Sequence, residues 1–255
     1  MPDVWLPAAA TLFLWWFATG AILYLDGLPR RTHGWTLGCA TLLLAASLLG
    51  LVRTRGDDGA AAAYAAFVCA LGVWSWQELA FLLGAVTGPR CVACPPGVTL
   101  WQRAGLALQT VAYHELALVL LALAVIVCVG DGANRVGWWT FAALWAMRQS
   151  AKLNLLFGVR NLGEALLPAH LSYLASYFRR APANWLWPLS IAANTVAAAW
   201  VWSSALDAAP GSTTAVGGAL VGTLLLLGLV EHLLLVVPVP VEALWRWGLR
   251  SRSVA

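Results

Sequence analysis

The chain alternates long apolar blocks with short polar breaks. Seven blocks approach or exceed the roughly 20 residues that a helix needs to cross a hydrocarbon core. They are 4–26, 36–52, 61–86, 105–130, 137–158, 185–206 and 215–237, the second being the shortest. The breaks hold Asp26–Arg31, Arg53–Gly59, a Cys- and Pro-bearing stretch at 87–104, Asp131–Arg135, a long segment at 159–184, and Asp207–Thr214. Gly, Pro, Asp and Asn supply their turn chemistry. This pattern predicts an all-α integral membrane protein of about seven transmembrane helices, with 1–255 as a single polytopic domain. No internal repeat and no separate soluble domain stand out. Asp3 is acidic where a secretory signal would be basic, so the first block is expected to be a retained helix rather than a cleaved leader.

Composition sharpens this reading. Apolar residues make up 61% of the 255 and charged residues only 10%, against about 25% charged in an ordinary soluble domain. A soluble protein of this size needs a polar coat that the sequence cannot supply. Sixteen Trp outnumber seven Phe and five Tyr, and Trp favours the membrane–water interface. The net charge is +4, and the basic residues behind it sit mostly between the apolar blocks, with no basic run or nucleic-acid motif. Nucleic acid is therefore excluded as a partner, and topology explains the charge.

Lys and Arg accumulate on the cytoplasmic side of a membrane protein. Alternate breaks and the C-terminal stretch carry Arg30, Arg31, Arg90, Arg103, Arg160, Arg179, Arg180, Arg246, Arg250 and Arg252. The other set carries Arg53, Arg55 and Arg135. Ten against three predicts a periplasmic N-terminus, a cytoplasmic C-terminus, and 159–184 as a cytoplasmic loop of a bacterial inner-membrane protein.

Ionisable groups inside a membrane are costly and invite a functional reading. Glu78 lies in the third block, His114 and Glu115 in the fourth, Arg148, Lys152 and Asn154 in the fifth, Glu231 and His232 in the seventh. Counting to the predicted block ends puts Glu78 and His114 roughly 12–14 Å from the cytoplasmic edge, and Glu231 roughly 9 Å from it. All fall in one half of the bilayer, with His170 in the long inner segment positioned to cap them. Carboxylate with imidazole is a ligand set for iron, manganese or zinc. On this reading Glu78, His114, Glu115, His170, Glu231 and His232 would be ligands, although the Glu-x-x-His spacing of di-iron bundles is absent. Two other readings stand beside it. The carboxylates pair with Arg148 and Lys152 and hold helices together, or the polar groups contact a tetrapyrrole. Neighbours on a helix point about 100° apart, so His114 and Glu115 cannot both face one centre, nor can Glu231 and His232.

Other candidates are weaker. Cys91 and Cys94 have metal or redox spacing, but their predicted cytoplasmic place and the lack of a second pair favour two reduced thiols. Cys39, Cys69 and Cys128 are expected to be packing residues, and His33, beside Arg30 and Arg31, solvated or lipid-facing. No nucleophile elbow, P-loop or dinucleotide fingerprint is present. No paired inverted repeat suggests a transporter.

The stretch Arg148-Gln-Ser-Ala-Lys-Leu-Asn-Leu-Leu-Phe-Gly-Val-Arg-Asn-Leu162 runs on through Leu167-Pro-Ala-His-Leu-Ser-Tyr-Leu-Ala-Ser-Tyr-Phe178. It resembles the signature of the PuhE family, the photosynthetic complex assembly proteins of phototrophic bacteria. The Trp-Gln-Glu ending at Glu78, the Tyr-His-Glu around His114 and the Glu-His at Glu231 agree, and the likeness covers most of the chain. Pro168-Ala169-His170 stands where the family more often has two prolines before the histidine. The resemblance adds Arg160 and Asn161 to the polar inner cluster. It implies a role in assembling the reaction centre and light-harvesting apparatus, or in bacteriochlorophyll supply, from a gene that tends to neighbour those of the reaction-centre H subunit and the oxygen-dependent ring cyclase. The expected partners are membrane lipids and photosynthetic subunits or bacteriochlorophyll-making enzymes. A non-catalytic assembly factor is the first reading. The alternative is a metalloenzyme, or a metal-bearing subunit, acting on a tetrapyrrole.

Overall fold

The computed structural model describes residues 4–253, so Asp3 lies outside the described residues. Seven long helices follow one another: α1 Trp5–Asp26, α2 His33–Thr54, α3 Ala60–Leu82, α4 Leu100–Val129, α5 Val136–Phe157, α6 Leu186–Asp207 and α7 Thr213–Leu234. No strand occurs among the described residues, only an isolated bridge between Val159 and Arg180. A helix of 22 residues is about 33 Å long, the thickness of a hydrocarbon core. Six helices (all but α5) are long and apolar enough to cross a membrane, and the chain is a multi-pass membrane protein. Helix α5 has the length, but Arg148, Gln149, Lys152 and Asn154 dilute its apolar run.

That dilution follows from position. Helix α5 packs against α3, α4 and α7 and touches α6, so its polar groups meet protein. Phe67, Val73, Leu118, Val125, Phe141 and Leu220 form the fully buried centre of the apolar core between these helices. Small residues on α7 let its neighbours approach: a Cβ on Gly222 would press into the Trp202 indole of α6 at 2.7 Å. Close approach through small residues is what drives helix association where lipid is as apolar as leucine.

Three helix lengths depart from the sequence pattern. Helix α2, expected to be the shortest at 36–52, is a full 22 residues. The third block was expected to run to 86, but α3 stops at Leu82, whose following turn ends in Gly84 with a left-handed φ of 79°. Helix α4 begins at Leu100 rather than 105, on a Thr99–Gln102 capping box. At 30 residues it is about 45 Å long and overshoots a bilayer core at one end. The chain between α3 and α4 folds back along that overhang. Thr87 accepts a hydrogen bond from the His114 amide at 2.9 Å, and Gly88 lies so close to the Gln109 and Thr110 backbone that no side chain fits there.

The same end of the bundle is covered by two more irregular segments. Residues 159–184 contain 3-10 turns at Glu164–Leu166 and Ala169–Tyr177. The chain after α7 turns back along α1, with 3-10 turns at Val241–Trp245 and Gly248–Ser253. Trp245 donates to the Trp16 carbonyl at 3.1 Å and Trp16 to the Leu244 carbonyl at 2.9 Å. Farther along, Arg252 forks onto the buried Asp26 carboxylate and donates to the Ala165, Leu166 and Leu167 carbonyls. Arg252, counted above as a topological charge, thus ties three segments together.

Candidate functional site

Helix periodicity aims α5 at three partners in turn. Arg148 faces α3, where Nε donates to Glu78 Oε1 at 3.0 Å and Nη2 pairs with Oε2. One residue on, about 100° round the helix, Gln149 donates to Glu115 Oε2 of α4 at 2.7 Å. Lys152, a turn later, pairs with Glu115 Oε1. Ser150 faces α7 and meets His232 Nε2 at 2.8 Å. Bidentate arginine–carboxylate geometry is the strongest form of such a contact.

The two imidazoles are fixed differently. His114 is buried; its Nδ1 accepts from Gln77 Nε2 at 2.8 Å, and the same amide nitrogen donates to the His114 carbonyl. The Phe81 ring stands 4.5 Å from the imidazole centroid. With Nδ1 accepting, a neutral His114 carries its proton on Nε2. In His232, Nδ1 donates to the Gly228 carbonyl at 2.8 Å, which leaves Nε2 to accept the Ser150 hydroxyl. Glu231 points elsewhere: it accepts from Trp15 Nε1 of α1 at 2.8 Å. It still lies within electrostatic range of Arg148. As the 100° argument expected, His114 and Glu115 address different helices, and so do Glu231 and His232.

The result is one charged layer drawn from α3, α4, α5 and α7, with Arg148 and Lys152 set among Glu78, Glu115 and Glu231. The ends of α3, α4 and α7 differ from the predicted ones, which moves the layer relative to them. Glu78 stands four residues from the end of α3 instead of eight, and Glu231 three residues from the end of α7 instead of six. His114 lies fourteen residues into α4 instead of nine.

The expected ligand set does not converge. Among the described residues, no group of three or more His, Cys, Asp or Glu side chains is arranged to hold a metal ion. Glu78 and Glu115 are drawn to separate cations of α5, Glu231 is turned to α1, and amide, hydroxyl or carbonyl partners engage both helical imidazoles. His170 stays outside the layer, with its ring 3.2 Å from where a Gly84 Cβ would stand, just past the end of α3. Its Nε2 is buried without a hydrogen-bond partner among the described residues. Burial, aided by Arg30 and Arg252, pushes its pKa below the usual imidazole value.

Asn154 and Asn161 turn out to organise the backbone. Asn154, fully buried, donates to Ser190 Oγ of α6 at 3.0 Å. Asn161 donates to the Leu234 and Val237 carbonyls and so closes the C-terminal end of α7, whose last carbonyls would otherwise be orphaned. Arg160 is exposed. The residue that reading missed is Asn184. It donates to Asn154 Oδ1 and the Gly158 carbonyl, while its own Oδ1 accepts the Leu186 and Trp187 amides at the start of α6. An Asn just before an apolar helix is a capping signal that the search for charges passed over. Gln77, Gln149, Ser150 and Trp15 were missed for the same reason: they are uncharged.

All five cysteines are free. Cys91 and Cys94 belong to the folded-back segment, which docks on 169–177: Arg90 donates to Tyr177 Oη at 2.6 Å, Tyr177 to the Val92 carbonyl, and the Cys94 amide to Ser176 Oγ. Beside Cys91, burial pushes the Tyr173 phenol up to about 12. Cys69 packs on α2, but Cys39 is exposed on α2 rather than buried in the packing. His33 is not free either: its Nε2 contacts the Leu28 carbonyl at 2.9 Å, closing the turn between α1 and α2.

A family model described as a protein of unknown function, DUF3623, matches residues 1–255. A protein of Rhodobacter capsulatus, named an uncharacterized 30.4 kDa protein in the puhA 5' region, is 38% identical over 255 residues, which span 98% of this chain and 93% of that protein. No solved structure matches the chain.

Proposed function

The chain belongs to the DUF3623 family, and we propose that within it the protein is an inner-membrane factor of the PuhE type, acting in assembly of the bacterial photosynthetic apparatus or in bacteriochlorophyll supply. The observation that carries this reading is the near full-length relative named for its place in the puhA 5' region. The 148–178 signature supports it. On this proposal all seven helices span the membrane, the N-terminus is periplasmic, and the charged layer and its cap face the cytoplasm. The layer serves as a framework: two of its three carboxylates, Glu78 and Glu115, are paired with cations of α5, so it holds α3, α4 and α5 in register. The cap formed by 83–99, 159–184 and 235–253 then offers a fixed cytoplasmic surface to a photosynthetic subunit or a pigment-making enzyme.

The test is genetic and spectroscopic. The gene of the Rhodobacter capsulatus relative is deleted, and this chain is returned on a plasmid. Loss of reaction-centre and light-harvesting absorbance on deletion, restored by this chain, is the expected result. Unchanged spectra on deletion refute the reading. Metal analysis of the purified protein is the companion measurement. Stoichiometric iron, manganese or zinc that Glu78→Ala and His114→Ala abolish would replace the framework by a metal centre.

A further inference from the structure

At the end of the bundle away from the charged layer, α6 leans on α7 and barely reaches α5. The gap is a groove of about 280 Å³ lined by residues of the three helices. Arg135, Ser204 and Thr214 stand at its mouth, Trp139 and Trp200 on its walls, and Gly218 and Val221 deeper along α7. From Thr214 to Val221 is seven residues, so the groove runs about 10 Å along the helix axes. Its mouth is polar and cationic, and its depth is aromatic and aliphatic.

Arg135 decides what belongs there. Its side chain has no ion pair or hydrogen bond among the described residues, and neither Asp131 nor Asp207 pairs with it. Arg135 is exposed, so its guanidinium is open to an anion from outside the bundle. An unmatched guanidinium at the rim of a membrane-facing apolar slot complements an anion attached to a hydrocarbon chain. The volume lies at the small end of ligand sites, which run about 300–1,000 Å³. It suits one acyl segment.

We propose that this groove is a site for an anionic phospholipid, with its phosphate on Arg135 and one acyl chain lying between Trp139 and Trp200. Flanking tryptophans hold the glycerol level, as they do at membrane interfaces. The lipid closes the seam that α5 and α6 leave open. The site is independent of the assembly role and stands or falls by itself.

Native mass spectrometry of the full chain in mild detergent, with phosphatidylglycerol or phosphatidylcholine of identical chains, tests it. The expected result is a single retained phosphatidylglycerol, favoured about five-fold, which corresponds to ~1 kcal/mol, the upper end for one exposed ion pair. Arg135→Gln brings the two lipids to parity, while Arg135→Lys keeps the preference. Ser204→Trp, which fills the mouth, reduces retention of both. Glycerol phosphate, a headgroup without a chain, does not compete. Equal retention of the two lipids by the wild-type chain overturns the proposal. So does a preference that survives Arg135→Gln, a Ser204→Trp chain that retains lipid fully, or displacement by glycerol phosphate. If Arg135→Gln does not fold, loss of the preference in Arg135→Lys is equally fatal.

Discussion

Removing Arg148 and removing the charge of Glu78 break the same bidentate contact but are predicted to cost different amounts. The Glu78 side chain is 11% exposed and that of Arg148 is 42% exposed. Arg148→Met strands a carboxylate that has almost no other place to go, and an uncompensated buried charge costs about 3–5 kcal/mol. Lys152 lies within electrostatic range of that carboxylate, so the lower end, about 3 kcal/mol, is expected. Glu78→Gln keeps an acceptor oxygen for the guanidinium. It leaves an arginine that is partly exposed and still senses Glu231 and Glu115. Its cost is expected near 1 kcal/mol, the scale of partly exposed pairs and of interhelical hydrogen bonds in membranes. The double variant removes both charges at once, so the cycle should show a coupling of about 2 kcal/mol. Unfolding by SDS from a mild detergent at pH 7.5, followed by tryptophan fluorescence, measures all four corners. Refutation takes either of two forms: Glu78→Gln at least as damaging as Arg148→Met, or a coupling below about 0.5 kcal/mol, the scatter of independent sites.

His170 makes stability depend on pH. Its folded pKa lies below the unfolded value of 6.5, so the unfolded chain binds the extra proton first and stability falls as pH drops through 6.5 toward the folded pKa. Faster trypsin cleavage at Arg160 and Arg179 at pH 5.5 than at 7.5, abolished in His170→Gln, checks this; an identical pH response in that variant would falsify it. Asn184→Leu removes a cap and the bonds to Asn154 and Gly158, and should cost about 2–4 kcal/mol; a loss under about 0.5 kcal/mol in the same SDS assay would show the cap to be incidental. In the complementation assay, Glu78→Gln and His114→Ala are expected to lower photosynthetic absorbance, while Cys91→Ser and Cys94→Ser leave it near wild type. The reverse order would move the functional site to the folded-back segment.

Hydrophobic blocks locate helices well because a bilayer demands about 20 apolar residues and punishes exceptions. The predicted 4–26 and 185–206 lie within a residue of α1 and α6 at each end. The block at 61–86 overran because Gly84 to Val86 remain apolar after the helix has ended. Apolarity measures depth in the bilayer, not helical geometry, and the left-handed Gly84 stops the helix. The convergence of charges on one layer was legible for a similar reason: an unpaired charge at that depth is too costly, so partners had to exist. Which partner each would choose was not legible. That depends on helix rotation and neighbour order, which put Glu231 on Trp15 and left Arg148 to Glu78. The cap was the least legible part. Its contacts are backbone carbonyls taken by Arg252, Asn161 and Asn184, and no periodicity encodes them.

The polar character of α5 has a consequence for how the chain enters the membrane. On the insertion scale, one Arg or Lys at mid-helix costs about 2.5–3.5 kcal/mol, so Arg148 and Lys152 together cost about 5–7. Helix α5 offers seven Val, Leu and Phe residues in return, worth about 2–4 kcal/mol at 0.3–0.6 each. The balance is unfavourable by about 1–5 kcal/mol before Gln149 and Asn154 are counted. Yet α5 lies at the centre of the bundle, with Glu78 on α3 and Glu115 on α4 neutralising its two cations. Both carboxylates precede α5 in the chain, so they are already in the membrane when α5 emerges. Insertion of α5 should therefore depend on them. Placed alone in a host protein bearing glycosylation sites on either side, α5 is expected to span in a minority of chains. Preceded by its own α3 and α4 it should span in most, and Glu78→Gln with Glu115→Gln should return it toward the isolated value. Efficient spanning by α5 alone, or indifference to the two substitutions, would mean that its cations are tolerated by lipid and water rather than by α3 and α4.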